Sequence, residues 1–152
     1  MTSNQVFWTH GSGLYHIGPG PLPVALELNE FGSTVAGPSG PGGPANLGIR
    51  IPCPVSINGV QGKLLTAFLK YRVAGPPPPA PILNNVTLMD GDTQVQVWLP
   101  PLPIPPPGAD HVAVFEVRQN VTITSGLALC FHVAQVGGIR VEIIGAGIEI
   151  QY

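Results

Sequence analysis

The stretch Trp8-Thr9-His10-Gly11 groups side-chain types that often form a binding or catalytic site. A histidine can act as a general base or bind zinc, and a tryptophan can cover a ligand. His16 follows closely, and a short hairpin would bring it near His10. The other two histidines, His111 and His132, lie much further along the chain. No two of the four histidines have the tight H-x-x-x-H spacing of a zinc site. The sequence therefore predicts no metal and no cofactor.

Acid–base and nucleophilic motifs are also missing from the sequence. Glycoside hydrolysis needs two carboxylates facing across a cleft, and no motif pairs any two of the 8 acidic residues. Asp90-Gly91-Asp92 resembles part of a calcium loop but lacks the later acidic ligands, so a turn is the better interpretation. Ser12 lies in HGSG without a G-x-S-x-G elbow. We therefore predict a protein that is not an enzyme, with a His10- and His16-dependent or metal-dependent hydrolase as a minor alternative.

Three aromatic residues are candidates for stacking on a ligand: Trp8, Tyr15 and Trp98. Their rings suit a sugar face, while neutral amides would bond sugar hydroxyls. Large aromatics also anchor sandwich cores, and we expect both tryptophans to be core residues. His10 is then expected to make a hydrogen bond near a turn that Gly11 forms. If the domain binds a ligand instead, the candidate ligand-binding residues are Trp8, His10, Tyr15 and Trp98.

These side chains must be positioned by β-strands, because apolar and polar residues alternate with period 2 along most of the chain. Such runs cover residues 47–51, 65–73, 95–97, 127–133 and 139–143. The 20 glycines and 19 prolines interrupt the sequence too often for an amphipathic helix. We predict an all-β fold, an antiparallel β-sandwich or jelly-roll-like domain, spanning residues 1–152 as one domain.

Glycines indicate where these strands turn and bend. Asn58-Gly59 and Asp90-Gly91 are hairpin-type turn signals between alternating runs. In the last segment the apolar positions change from odd-numbered to even-numbered around Gly145–Gly147. A bulge there would reconcile the two halves. We expect a strand that bends at this point to cross from one sheet to the other.

Three segments are rich in proline or glycine: 37–45, 74–81 and 99–108. The first has three Gly-X-Y triplets, far fewer than a collagen helix requires. The other two favour polyproline II, the conformation that SH3-type domains bind. We interpret all of them as rigid loops between strands, because proline limits the freedom of the unfolded chain.

Charged residues are few: they make up 9% of the sequence, against an average of about 25%. The net charge is −2. A nucleic-acid binder needs a basic stripe, and a peripheral membrane binder needs a polybasic patch. The 6 basic residues form neither. A net charge near zero gives little repulsion between copies, which favours self-association.

The sequence leaves localisation open. Residues 1–5 lack the basic and apolar regions of a secretory signal, and no apolar run reaches the length of a membrane span. We expect a cytoplasmic protein or one exported by a non-classical route. Cys53 and Cys130 are interpreted as small apolar residues inside strands, with disulfide pairing left open.

Five segments occur in an order that resembles a known family: FWTHGSGLYH, IRIPCPVSINGVQGKLLTAFLKYRV, ILNNVTLMDGDTQVQVW, ITSGLALCFHV and IRVEIIGAGIEI. The chain is similar to an uncharacterised family of small single-domain all-β microbial proteins that open on W-x-H-G. The resemblance covers nearly the whole chain. It implies a sandwich fold and no particular activity.

These observations predict a non-catalytic structural or binding module that self-associates into a homo-oligomer or larger assembly. The alternative is a carbohydrate-binding, lectin-like domain. The expected partners are other copies of the chain or a glycan, with no nucleic acid and no membrane insertion.

Overall fold

The computed structural model describes residues 3–17, 25–29, 32–36, 45–75, 83–99, 101–134 and 139–152. Within them the chain forms thirteen strands and one short 3-10 turn at Gly11–Gly13. The strands are β1 (Asn4–His10), β2 (Leu14–His16), β3 (Ala25–Asn29), β4 (Gly32–Ala36), β5 (Ala45–Ile51), β6 (Ser56–Ile57), β7 (Val60–Gln61), β8 (Lys63–Ala74), β9 (Leu83–Asp90), β10 (Thr93–Trp98), β11 (Asp110–Thr122), β12 (Leu127–Val133) and β13 (Arg140–Gln151).

Two antiparallel sheets carry nearly all of these strands. The front sheet has the order β11-β8-β13-β4-β3, and β1 also pairs with β13. The back sheet has the order β10-β9-β12-β5-β2, while β6 and β7 form a separate hairpin. Strand β13 lies at the centre of the front sheet, with β8 along one side and β4 followed by β1 along the other.

The core lies between the two sheets, where the apolar positions of the alternating strands meet. Its fully buried side chains come from both sheets: Leu47, Ile49, Leu69, Tyr71, Leu88, Leu129, Ile143, Ile148 and Ile150. The alternation in the sequence thus predicted the inward face of most strands. In β8, however, Leu64 is buried and Leu65 only half-buried, because the pairing of β8 with β11 is irregular next to this point.

The change of phase in β13 is a bulge, as predicted. The register of β13 with β8 shifts between Ile143 and Gly145, and both Ile143 and Ile148 point into the core. The expected crossing between sheets is wrong, because β13 stays in the front sheet from Arg140 to Gln151. Instead, the bulge coincides with the point where β4 ends and β1 begins along its edge.

Both predicted hairpin turns are confirmed. Asn58 and Gly59 have φ of 51° and 77° between β6 and β7, the left-handed pair that suits a tight two-residue turn. Gly91 has φ of 58° between β9 and β10. The carboxylate of Asp90 accepts four hydrogen bonds, from Thr124 N and Oγ1, Ser125 N and Gly126 N, at 2.7–3.0 Å.

Asp90 is therefore the anchor of the segment that leads into β12. Burial opposes ionisation of this carboxyl, but the hydrogen bonds outweigh burial and hold the pKa of Asp90 below its usual value. The Asp90-Gly91-Asp92 segment is a turn, as the sequence indicated.

Of the three segments rich in proline or glycine, residues 37–44 of the first, 76–81 of the second and Pro100 of the third lie outside the described residues. The third connects β10 of the back sheet to β11 of the front sheet. Leu102 is buried there and donates its N–H to Leu83 O at 2.9 Å, and Tyr71 donates its hydroxyl to Pro103 O. Burial raises the pKa of Tyr71 to about 12.

Both cysteines are free and half-buried. Cys130 lies in β12, as predicted, whereas Cys53 lies just after β5 and not inside a strand. Burial raises the pKa of both thiols. No helix in the described part of the chain is long and apolar enough to span a bilayer.

Candidate functional site

The outer face of the front sheet carries a row of apolar side chains that crosses its strands. In the register of the sheet, Trp8 lies opposite Gly147, Gly147 opposite Phe68, and Phe68 opposite Val114. Trp8 is 48% exposed and Val114 is 60% exposed. We call Trp8, Phe68 and Val114 the front platform. Large apolar side chains at this degree of exposure on one face are characteristic of interaction surfaces.

Gly147 is what allows the indole of Trp8 to lie flat on the sheet. A Cβ added at Gly147 would come within 2.7 Å of Trp8 Cδ2, so any larger residue would displace the ring. With glycine there, the indole extends over β13 and stacks on Phe68, with 5.7 Å between ring centroids and 23° between planes. The expectation that Trp8 is a core residue is therefore wrong: Phe7, its neighbour in β1, packs against the core instead.

One side of the front platform is lined by hydrogen-bonding groups. The carboxylate of Glu149 accepts from Asn4 Nδ2 at 3.0 Å and from Thr66 Oγ1 at 3.3 Å. Gln151 Nε2 donates to Asn4 Oδ1 at 3.4 Å. These contacts connect side chains on β1, β8 and β13, so their polar atoms are held in a fixed pattern beside the rings.

The other side of the front platform carries four charged side chains: Lys70, Arg72, Asp110 and Glu142. Asp110 contacts Lys70 Nζ at 2.8 Å and Arg72 Nη2 at 2.6 Å, and Glu142 contacts Arg72 Nη1 at 3.3 Å. We call these four residues the ion-pair ladder. The hydrogen bonds from Lys70 and then Arg72 hold the pKa of Asp110 below its usual value. Both cations of the ion-pair ladder are thus paired with carboxylates.

His10 lies at the end of β1, beyond Trp8 in the same strand. Its Nδ1 accepts a hydrogen bond from Ser12 N at 3.2 Å, and Ser12 Oγ lies 3.0 Å from the same nitrogen. The predicted hydrogen bond of His10 near a turn is confirmed. Gly11 makes that turn possible, because a Cβ there would meet Ile143 O at 1.8 Å.

Tyr15 lies on the opposite side of the molecule, on the outer face of the back sheet. Its ring covers Gly48, where an added Cβ would come within 2.6 Å of Tyr15 Cζ. The guanidinium carbon of Arg50 lies 5.5 Å from the centre of the ring, a cation–π distance. Burial, followed by the neighbouring thiol of Cys130, raises the pKa of Tyr15, although Arg50 partly offsets this.

An open groove of about 810 Å³ adjoins Tyr15 and Arg50. We call it the back groove. It is lined by Tyr15, Arg50, Ile51, Pro52, Cys53, Gly91, Asp92, Gly126, Leu127 and Ala128. Two strands of the back sheet form its floor, and the β9–β10 turn with the segment before β12 forms its far wall.

Trp98 lies at the edge of the sandwich, in β10, and borders a groove that it shares with Val114 of the front platform. It is half-buried and packs against the core, with its ring 5.0 Å from that of Phe115 and tilted by 44°. A groove of about 300 Å³ beside it is lined by Trp98, Val114, Phe115, Glu116 and Arg118. Trp98 thus has the core contacts that the sequence suggested for both tryptophans.

The structure therefore separates the four predicted ligand-binding residues. Trp8 and His10 share the front face, Tyr15 lies on the back face, and Trp98 lies at an edge. Phe68 was not among the residues predicted from the sequence, because it occupies a position of β8 that otherwise carries polar side chains. An aromatic residue at such a position was the available signal. No group of three or more His, Cys, Asp or Glu side chains among the described residues is arranged to hold a metal ion.

No protein-family model and no curated protein matches the sequence. Among solved structures, the chain is similar to a xylan-binding module, CBM15, at 12% identity over 97% of both chains, with a TM-score of 0.62. A variant of a family 29 carbohydrate binding module matches at 12% identity over 98% of this chain and 92% of the other, with a TM-score of 0.46. A Stig cyclase from Fischerella sp. TAU matches at 14% identity over 97% and 75%, with a TM-score of 0.44. The first similarity, together with the antiparallel sheets, confirms the predicted all-β sandwich.

Proposed function

We propose that this protein is a non-catalytic carbohydrate-binding domain that holds a neutral polysaccharide on the front platform. The observation that carries the proposal is the indole of Trp8, half exposed, lying over Gly147 and stacked on Phe68. An exposed aromatic surface of this kind suits the C–H face of a sugar ring, which has apolar patches between its hydroxyls.

The surroundings of the rings supply the polar part of recognition. Glu149, oriented by Asn4 and Thr66, offers carboxylate oxygens that accept hydrogen bonds from sugar hydroxyls. All of these groups lie on paired strands, so little conformational entropy is lost when a ligand binds. The fold is also one that the xylan-binding module shares.

The charges on this face favour a neutral polysaccharide over an acidic one. The cations of the ion-pair ladder already contact carboxylates, and Glu149 adds a further negative charge beside the platform. An acidic sugar placed on the platform would be repelled by Glu149, while Lys70 and Arg72 are already paired with carboxylates.

The first test compares wild type with Trp8→Ala on a panel of neutral polysaccharides, with affinities measured by calorimetry. A central aromatic anchor contributes at least about 2 kcal/mol, so we expect Trp8→Ala to weaken binding about 30-fold or more. Phe68→Leu, which keeps an apolar side chain but removes the stacking partner, should weaken binding less.

Val60→Ala is the matched control, because Val60 is 52% exposed but lies on the separate β6–β7 hairpin. It should bind as wild type does. Absence of binding to every neutral polysaccharide at millimolar concentration, or equal affinity of wild type and Trp8→Ala, would contradict the proposal.

A second candidate function is self-association through the same face. Val6, Val112 and Val114 are 42–60% exposed around Trp8, and apolar side chains on one sheet face can pair with the same face of a second copy. Light scattering after size exclusion at two concentrations tests this. A mass that rises with concentration in wild type, but stays at one chain in Trp8→Ala, would support self-association.

A further inference from the structure

We propose that the back groove is a second binding site, independent of the front platform, and that it takes a sugar ring bearing one carboxylate, a uronic acid. It lies on the opposite sheet from the front platform, and the proposed function makes no use of its residues.

The cationic group of the back groove is Arg50. Among the described residues, no carboxylate lies within 4.0 Å of its guanidinium, whereas Lys70 and Arg72 on the other sheet contact Asp110. Arg50 is exposed, and its guanidinium lies against the ring of Tyr15 at the groove wall. An exposed guanidinium without a carboxylate partner can donate two parallel hydrogen bonds to the carboxylate of a ligand.

The floor of the groove exposes little side-chain surface. The side chains of Leu127 and Ile51 pack in the core and are each 2% exposed, so the floor consists of strand backbone and the methyl group of Ala128, which is 9% exposed. A long or branched apolar ligand would leave the polar walls without partners. A pyranose ring fits this floor better, because its C–H groups can lie on the Ala128 methyl group and the Tyr15 ring while its hydroxyls face the walls.

Asp92 lines the far wall of the groove. Its carboxylate can accept hydrogen bonds from sugar hydroxyls, and it repels a second negative charge. The cation at one wall and the carboxylate at the other therefore orient a ligand with a single acidic group at the Arg50 end.

The walls are held in place before any ligand binds. Asp90 fixes the segment Thr124–Gly126 through four hydrogen bonds, and Gly126 lines the groove. On the other side, the close approach of Gly48 and Tyr15 fixes the tyrosine ring. Such preorganisation limits the entropy that binding would cost.

The test uses methyl galactopyranosiduronic acid, a single uronic acid ring with one carboxylate, and its methyl ester as probes, titrated into ¹⁵N-labelled protein and followed by NMR. We expect the acid to shift the amides of Arg50, Gly126 and Ala128 in a saturable way. The ester, which lacks the charge but keeps the ring, should bind about tenfold more weakly, as expected for loss of one charge-assisted contact.

Arg50→Gln should reduce affinity for the acid to that of the ester, and Arg140→Gln, which removes an exposed cation from the front sheet, should leave it unchanged. Trp8→Ala should also bind the acid normally, so failure of the front platform and failure of the back groove are separately visible. Equal affinity for acid and ester, wild-type affinity in Arg50→Gln, shifts confined to the front platform, or no shift at all would each overturn the proposal.

Discussion

Two aromatic side chains, one on each outer face, lie across a glycine on the neighbouring strand. Trp8 covers Gly147 on the front sheet, and Tyr15 covers Gly48 on the back sheet. In both pairs the missing Cβ lets the ring lie close to the sheet surface. What differs is the next neighbour: the indole stacks on Phe68, whereas the phenol contacts the guanidinium of Arg50.

The cross-strand neighbours of an aromatic–glycine pair therefore determine whether the surface around the ring is apolar or charged. On the front, a second aromatic extends the apolar surface, and the nearby cations are paired with carboxylates. On the back, an arginine leaves a positive charge beside the ring. The front platform therefore suits a neutral ligand and the back groove an acidic one.

The largest expected effect comes from Asp90, which supports the back groove and not the front platform. Asp90→Ala removes the acceptor of four hydrogen bonds and leaves three backbone N–H groups of the Thr124–Gly126 segment without it. We expect the free energy of unfolding to fall by about 3 kcal/mol, measured by urea denaturation. A change below about 0.5 kcal/mol would show that water replaces the carboxylate at no cost.

The lowered pKa of Asp90 also predicts how the free energy of unfolding depends on pH. Because folding lowers the pKa of Asp90, its contribution is complete above the unfolded-state value of about 3.9 and is lost as pH falls through the lower folded-state value. The slope of stability below about pH 4 should therefore be smaller in Asp90→Ala than in wild type.

A medium effect is expected when a Cβ is added under each ring. In Gly147→Ala the new atom meets the indole at 2.7 Å and Phe7 O at 3.0 Å, so both a large ring and a backbone must move. In Gly48→Ala it meets only side-chain atoms, of Tyr15 and Ile17, which can rotate away. We expect losses of about 1–3 kcal/mol for Gly147→Ala and less than about 1 kcal/mol for Gly48→Ala by thermal denaturation.

Tryptophan fluorescence provides the check on the geometry. Gly147→Ala should change the emission of Trp8, whereas Gly48→Ala should leave it as in wild type. Equal losses of stability in the two variants would show that the two rings are held in the same way.

The smallest expected effect is the dependence of affinity on ionic strength, which tests whether each site binds a neutral or an acidic ligand. Raising ionic strength from about 0.02 to 0.5 M shortens the Debye length from roughly 20 Å to about 4 Å. Affinity of the front platform for a neutral polysaccharide should change less than about twofold, and affinity of the back groove for methyl galactopyranosiduronic acid should fall measurably. A strong salt effect at the front platform would indicate that the ion-pair ladder contacts the ligand.

The sequence predicted the sandwich because period-2 alternation and Asn-Gly or Asp-Gly turns are local properties, as β12 and the β9–β10 hairpin illustrate. The sequence did not predict the orientation of Trp8. Val6, Phe7 and Trp8 are consecutive large apolar residues, so no alternation with polar residues shows which of them face the core. Only the pairing of β1 with β13 directs Phe7 inward and Trp8 outward. Tyr15 and Arg50 likewise meet only through the pairing of β2 with β5.

The pairing of β1 with β13 also has a consequence for the order of folding. Ser3 and Tyr152 exchange two backbone hydrogen bonds of 3.0 Å, so β1 reaches its partner only by closing a loop that spans almost the whole sequence. Contacts with such sequence separation slow folding and form late. We expect the indole of Trp8 to reach Gly147 in one of the last kinetic steps, so its fluorescence would follow completion of the native state and not the initial collapse.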